Sequence, residues 1–150
     1  MNDRSPGQSR MRTLHFGLQV ADLNQSLAFY TAIGYDVVGE VPETPLGHLC
    51  MLKLARDEFV TLELVHDPAG RAVEIGSGLS HFVIQVGALD SVVGELAAKG
   101  IASSAAGSPD DTQEPRTAWI TDPDGRRIEL VQWPPGHPDG LTAADWPETS

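Results

Sequence analysis

Apolar and polar positions alternate in short stretches along most of the chain. Phe16, Leu18 and Val20 interleave with His15, Gly17 and Gln19, and Phe82, Ile84 and Val86 interleave with His81, Val83 and Gln85. A period of two marks strands with one buried face, which predicts strands over 13–20 and 79–86. Similar reasoning predicts strands over 35–41, 47–54 and 58–65, then over 101–105, 116–121 and 126–133. Helices are predicted over about 23–33 and 88–99. Each stops at a glycine, Gly34 or Gly100, as a C-terminal glycine cap requires. Asp122-Pro123-Asp124-Gly125 separates the last two strands and reads as a tight turn, because Pro presets φ and Gly tolerates positive φ.

The pattern repeats at one interval. His15 and His81 are offset by 81 − 15 = 66, and Glu63 and Glu129 by 129 − 63 = 66. The same offset pairs Val20 with Val86, Leu23 with Leu89 and Gly34 with Gly100. The expected fold is α+β: two tandem βαβββ modules, 13–66 and 79–133, forming curved sheets around a metal cleft. A helix covers one face of each sheet, since a sheet must bury its apolar side against another layer. The two modules make one domain, 13–133, with 66–78 as the linker. Residues 1–12 read as a flexible tail, 106–115 as a polar loop, and 134–150, with four Pro and two Gly, as an irregular C-terminal tail.

Strand alternation also orients the repeated side chains. With Leu18, Val20, Ile84 and Val86 under the helices, both histidines face the other side. Leu62 and Leu64 oppose Glu63, and Ile128 and Leu130 oppose Glu129, so both glutamates can face the same cavity as the histidines. A lone strand histidine is more often structural than a ligand, and a lone strand glutamate usually just meets solvent. Neither account explains the recurrence of both at one offset among apolar neighbours, where an unpaired carboxylate is costly. His15, Glu63, His81 and Glu129 are therefore the candidate metal ligands. Two nitrogens and two carboxylates without sulfur suit a borderline divalent ion, and nickel, cobalt, zinc, manganese and iron all fit.

Composition narrows the partners. The 150 residues are 41% hydrophobic and 21% charged, ordinary for a globular chain, and the net charge is −11. That charge argues against nucleic acid or an anionic membrane, and no apolar run approaches the roughly 20 residues of a membrane helix. The expected partner is a small molecule, and the default location is cytoplasmic. The single cysteine, Cys50, excludes an intramolecular disulfide and a thiolate-rich metal site; it reads as a buried filler without an evident base partner.

On these residues the chain resembles the vicinal oxygen chelate superfamily, the glyoxalase/bleomycin-resistance/dioxygenase group, over about 13–133. The matching stretches are Leu14-His15, Val20-Ala21-Asp22-Leu23, Ser26-Leu27-Ala28-Phe29-Tyr30 and Leu62-Glu63-Leu64. In the second half they are Ser80-His81-Phe82-Val83-Ile84 and Asp122-Pro123-Asp124-Gly125-Arg126-Arg127-Ile128-Glu129-Leu130. Within the superfamily the four-ligand set is most similar to glyoxalase I of the short bacterial type, the lactoylglutathione lyases. The resemblance implies a lyase or isomerase with nickel, cobalt or zinc, acting on the thiol hemithioacetal of a 2-oxoaldehyde. Proton transfer would pass through an enediolate stabilised by the metal, with Glu129 the first choice of base and Glu63 the second. It also implies a homodimer in which His15 and Glu63 of one subunit meet His81 and Glu129 of its mate.

Two positions depart from the glyoxalase I pattern. Gln19 stands where an Arg commonly grips a glutathione carboxylate, and Asp67 stands near a usual Asn; Arg116 is the candidate replacement cation. Two alternatives follow from the same resemblance. One is an acyl-CoA epimerase using the same proton chemistry, and the other is a non-catalytic module that shelters an antibiotic or metabolite. Of the remaining candidates, His48 is a possible cleft residue, His66 falls on the opposite strand face, and His137 lies in the tail. Trp119 fits the cleft or the core equally, and Asp110 and Asp111 solvate a loop.

Overall fold

The computed structural model describes residues 6–104 and 115–146. The chain divides into two compact units, 1–73 and 74–150. The first contains α1 (Pro6–Ser9), β1 (Phe16–Gln19), α2 (Leu23–Ala32), β2 (Tyr35–Thr44), β3 (Gly47–Leu54) and β4 (Leu62–His66). Its sheet runs β1-β4-β3-β2, with β1 parallel to β4 and the other pairs antiparallel. The second contains β5 (Phe82–Gln85), α3 (Leu89–Ala98), β6 (Arg116–Thr121), β7 (Arg127–Gln132) and the short 3-10 turn Ala143–Asp145. Its sheet runs β5-β7-β6, with β5 parallel to β7. The architecture is thus α+β with two mixed sheets, as the alternation predicts.

Each helix starts and stops for local reasons. The Asp22 carboxylate accepts from the Gln25 amide at 3.0 Å and caps α2. Ala88, at the same point of α3, has no such side chain. Gln132 of β7 supplies the acceptor instead, taking the Leu89 amide at 2.8 Å. At the other end Gly100 has φ +84°. Ile101 N–H there reaches back to Leu96 and Gly100 N–H to Ala97, which closes the helix with the paired bonds of a Schellman motif.

The buried layer follows strand parity. Leu18, Val20, Leu52, Leu62 and Leu64 share one face of the first sheet and are buried with Tyr30 of α2; Ile84, Ala118, Ile120, Ile128 and Leu130 do the same with Leu89 and Leu96 of α3. Phe16 is an exception, 66% exposed at the free end of an edge strand. β1 and β5 begin three residues later than predicted, at Phe16 and Phe82, and β2 runs on to Thr44; two further differences have local causes. β4 starts at Leu62 rather than 58, because Asp57 holds a turn: its carboxylate accepts from Leu54 N–H and from the Thr61 hydroxyl. The strand predicted over 101–105 is not formed over 101–104, and 105 lies outside the described residues. Ser104 is only half paired there: its amide donates to the Trp119 carbonyl, but its side-chain hydroxyl, in place of a backbone carbonyl, accepts the Trp119 amide, each at 2.9 Å. Most of the predicted polar loop at 106–115, with Asp110 and Asp111, also lies outside the described residues. No helix among the described residues is long and apolar enough to cross a membrane.

The Asp122–Gly125 turn carries a buried ion pair. Asp122 accepts from the amides of Asp124 and Arg126 and pairs with the Arg126 guanidinium at 3.0 Å, and both residues are buried. Removing Asp122 leaves Arg126 only the longer Asp124 contact at 3.6 Å, and breaking a buried pair costs about 3–5 kcal/mol. Asp122→Ala is therefore expected to lose about 3–5 kcal/mol in urea unfolding. A loss below 1 kcal/mol would show that solvent reaches Arg126.

Candidate functional site

In each unit a parallel strand pair brings one histidine to one glutamate. Gly17 lies opposite Glu63 in the β1–β4 register, and Val83 lies opposite Glu129 in the β5–β7 register. His15 and His81 sit one residue before their strands, on the same faces as those glutamates. His15 Nε2 is 3.3 Å from Glu63 Oε1, and His81 Nε2 is 3.5 Å from Glu129 Oε1. All four side chains are partly buried, between 13% and 34% exposed. The structure thus joins the four sequence candidates as two like pairs, one in each unit.

The pairs have the separation that a shared cation requires. Nitrogen and oxygen donors about 2.0–2.2 Å from one ion lie about 2.9–3.5 Å apart, and both pairs fall within that range. His81 has further support, since its Nδ1 lies 2.8 Å from the Ser80 hydroxyl. With Nδ1–H donating there, the lone pair stays on Nε2, the atom that faces Glu129; outer partners of this kind fix the tautomer of ligating histidines. The residues present therefore fit a divalent ion within each unit.

The surroundings of the two pairs differ. Met51 lies opposite Glu63, whereas Trp119 lies opposite Glu129. The Trp119 ring meets His81 edge-on at 5.0 Å, and the Arg127 guanidinium stacks over it at 4.1 Å. Trp119 thus belongs to the site face and not to the core. Arg127 was not singled out in the sequence, although its parity with Glu129 carried the signal.

Other candidates move. Arg116 is paired with Asp90 at 2.9 and 3.2 Å on the Ala118 face of β6, opposite to that of Glu129, so it is not the replacement for the cation that Gln19 lacks. The Asp90 carboxylate is held below its ordinary value by that bond. His48, which the sequence left open as a cleft residue, lies on the face of Leu52, opposite to Glu63. Cys50 has a partner after all, since its thiol donates to Glu40 Oε1 at 3.2 Å. Burial first, and that carboxylate second, push the thiol up to about 12, so it stays protonated and is a poor nucleophile at neutral pH. Asp67 takes the Ala69 amide and pairs with Arg71.

Gln85, which shares the His81 face of β5, anchors the segment after β7. Its carbonyl oxygen accepts from Trp133 Nε1 at 2.6 Å and from Gly140 N–H at 2.9 Å, and its amide donates to Asp139 at 2.8 Å. His137 stacks on Trp133 and bonds to Asp145.

Comparison with known proteins gives the family. The sequence profile of the Glyoxalase/Bleomycin resistance protein/Dioxygenase superfamily matches residues 12–130. A lactoylglutathione lyase of Arabidopsis thaliana is 26% identical over 130 residues, covering 85% of this chain and 46% of the plant protein. The chain thus spans about half the length of the first plant relatives it matches, or less. The lactoylglutathione lyase of Salmonella typhimurium is 26% identical over 125 residues, covering 81% of this chain and 93% of the bacterial protein. The trypanothione-dependent glyoxalase I of Leishmania major superposes with a TM-score of 0.65 at 25% identity, covering 81% of this chain and 86% of that one.

The His137–Asp145 bond makes the tail contact depend on pH. It raises His137 above its ordinary 6.5, and Asp145 is lowered from 3.8, first by the Thr142 amide and then by His137. A raised imidazole stabilises below 6.5 and loses its contribution as pH rises through the folded value; a lowered carboxylate stabilises above 3.8 and loses its contribution as pH falls. Hydrogen-exchange protection of the Gly140 amide should therefore be greatest between pH 3.8 and 6.5 and fall at alkaline pH. Asp145→Asn should flatten the profile; an unchanged profile would detach His137 from the tail contact.

Proposed function

The chain belongs to the glyoxalase/bleomycin resistance protein/dioxygenase superfamily, and on that premise we propose that it is a glyoxalase I-like, metal-dependent lyase. Its substrate would be the hemithioacetal of a 2-oxoaldehyde and a thiol. The observation that carries the reading is the duplicated pair, His15 with Glu63 and His81 with Glu129, at 3.3 and 3.5 Å. These four side chains would hold nickel, cobalt or zinc. The ion would supply Lewis acidity, making the carbon beside the substrate carbonyl a stronger acid.

The chain's residues would then move one proton. Glu129, the first choice of base, takes it from the thiol-bearing carbon and returns the same proton to the neighbouring carbon, with Glu63 the second choice for the role, so the substrate isomerises without net redox change. Trp119 and Arg127 flank the Glu129 pair and would exclude water from one side of the base. The departure from the relatives lies in the thiol. Gln19 carries no charge for a glutathione carboxylate, and Arg116 is engaged by Asp90. A trypanothione-dependent relative supports the view that the thiol varies within this fold.

The proposal includes a homodimer whose sites take one pair from each subunit. Glu129→Gln is expected to lower kcat by about 10²–10⁴-fold, the usual contribution of a positioned base. Substrate scope is checked with methylglyoxal and a panel of thiols on nickel- or zinc-loaded protein, reading thioester formation. Inactivity with every thiol would overturn the lyase, and turnover of 2-methyl-branched acyl-CoA esters instead would make the protein an epimerase. Pairing between subunits is tested by mixing His15→Ala and His81→Ala proteins, each inactive alone. Shared sites predict recovery to roughly a quarter of wild-type activity, because half the dimers are mixed and each rebuilds one of two sites. No recovery would place each site within one chain.

A further inference from the structure

A second cluster of ligand atoms lies on the opposite face of the first sheet. Glu40 is paired with Cys50 across β2 and β3, and His48 lies two residues before Cys50, so the three side chains share the face of Leu52. Cys50 Sγ is 3.2 Å and His48 Nε2 is 3.7 Å from Glu40 Oε1, and the donor atoms of all three lie within 4.8 Å of one another. Four donors set tetrahedrally around one ion at about 2.0–2.3 Å are separated by about 3.3–3.8 Å. Both distances to Glu40 are close to that spacing.

We propose that Glu40, His48 and Cys50 form a metal site distinct from the histidine–glutamate pairs, taking a thiophilic divalent cation, with zinc the best match. Three features argue for it. His48 Nε2 is buried without a hydrogen-bond partner, although a buried polar atom ordinarily has one; a cation would complete it. A thiol, an imidazole and a carboxylate together suit zinc, whose fourth position water can take. The site also has a way in, because Cys50 is fully buried whereas the Glu40 and His48 side chains are 47% and 29% exposed. Binding replaces the thiol S–H bond by a sulfur–metal bond and releases one proton to solvent.

The cluster belongs to the first unit only, among the described residues. Cys50 lies opposite Leu64, and the matching position opposite Leu130 is Ala118. It is therefore not a relic of the repeat that produced the other pairs.

The single cysteine makes the test specific. In the full-length protein loaded with cobalt(II), a thiolate-to-cobalt charge-transfer absorption reports metal on Cys50, because the histidine–glutamate pairs contain no sulfur. The expected result is such a band, saturating at one equivalent per chain and displaced by zinc. His48→Gln and Glu40→Gln are each expected to weaken cobalt binding at this band by tenfold or more. A protein with His15, Glu63, His81 and Glu129 all replaced by Gln should keep the band, which separates this site from the proposed lyase centre. Absence of the band in cobalt-saturated wild type would overturn the proposal, as would unchanged affinity in both single variants. Glu40 is exposed, so Glu40→Gln keeps the test decisive should His48→Gln fail to fold.

Discussion

The parallel pairing of the first and last strands of each unit is the constraint on which the rest depends. Glu63 faces Gly17, and Glu129 faces Val83, in identical registers. Successive strand residues point to opposite faces, so a slip of one residue would turn each glutamate toward the helix and away from its histidine. The register is held from the buried side, where Leu18, Leu62 and Leu64 in one unit and Ile84, Ile128 and Leu130 in the other exclude water. Burying each such side chain contributes about 1.5–3 kcal/mol, whereas an ion pair that solvent still reaches contributes about 1 kcal/mol or less. The apolar layer therefore places the polar pair.

This division explains what the sequence disclosed. Helices, the Asp122–Gly125 turn and the two sheets followed from periodicity and from glycine stops, because backbone geometry dictates both. The pairing of His15 with Glu63 and of His81 with Glu129 followed from parity and the 66-residue offset. Features governed by single polar atoms were hidden. Nothing in the periodicity shows that the Ser104 hydroxyl takes a ladder bond, that Asp57 delays β4, or that Asp90 engages Arg116. Cys50 is buried as expected, but its Glu40 partner was hidden for the same reason, since Glu40 reaches it only through the β2–β3 pairing.

Parity would have placed His48 correctly. It is two residues from Cys50 and four from Leu52, all on the buried side. The sequence left it open because it starts a strand whose facing was undetermined. The faces of the sheet are independent: the Leu52 face ends in a cluster containing a thiol, and the Met51 face carries the imidazole and carboxylate of the His15–Glu63 pair. If both proposed sites bind metal, donor softness would sort cations between the faces, since thiolate favours zinc and carboxylate with imidazole accepts a wider range.

The two copies have kept the pair and changed what surrounds it. Gln19 and Gln85 are repeat mates, 85 − 19 = 66, and Gln85 holds Trp133, Asp139 and Gly140. Met51 and Trp119 occupy matching positions opposite the two glutamates. Side chains on this face are not needed to set the register, so they vary without loss of fold, and substrate preference is free to change there. The cation–π contact of Arg127 with Trp119, beside His81, fixes an aromatic wall on the second pair alone. The two glutamates are thus unequal in their surroundings, and the proposed choice of Glu129 as the base rests on that inequality and not on the symmetry of the repeat.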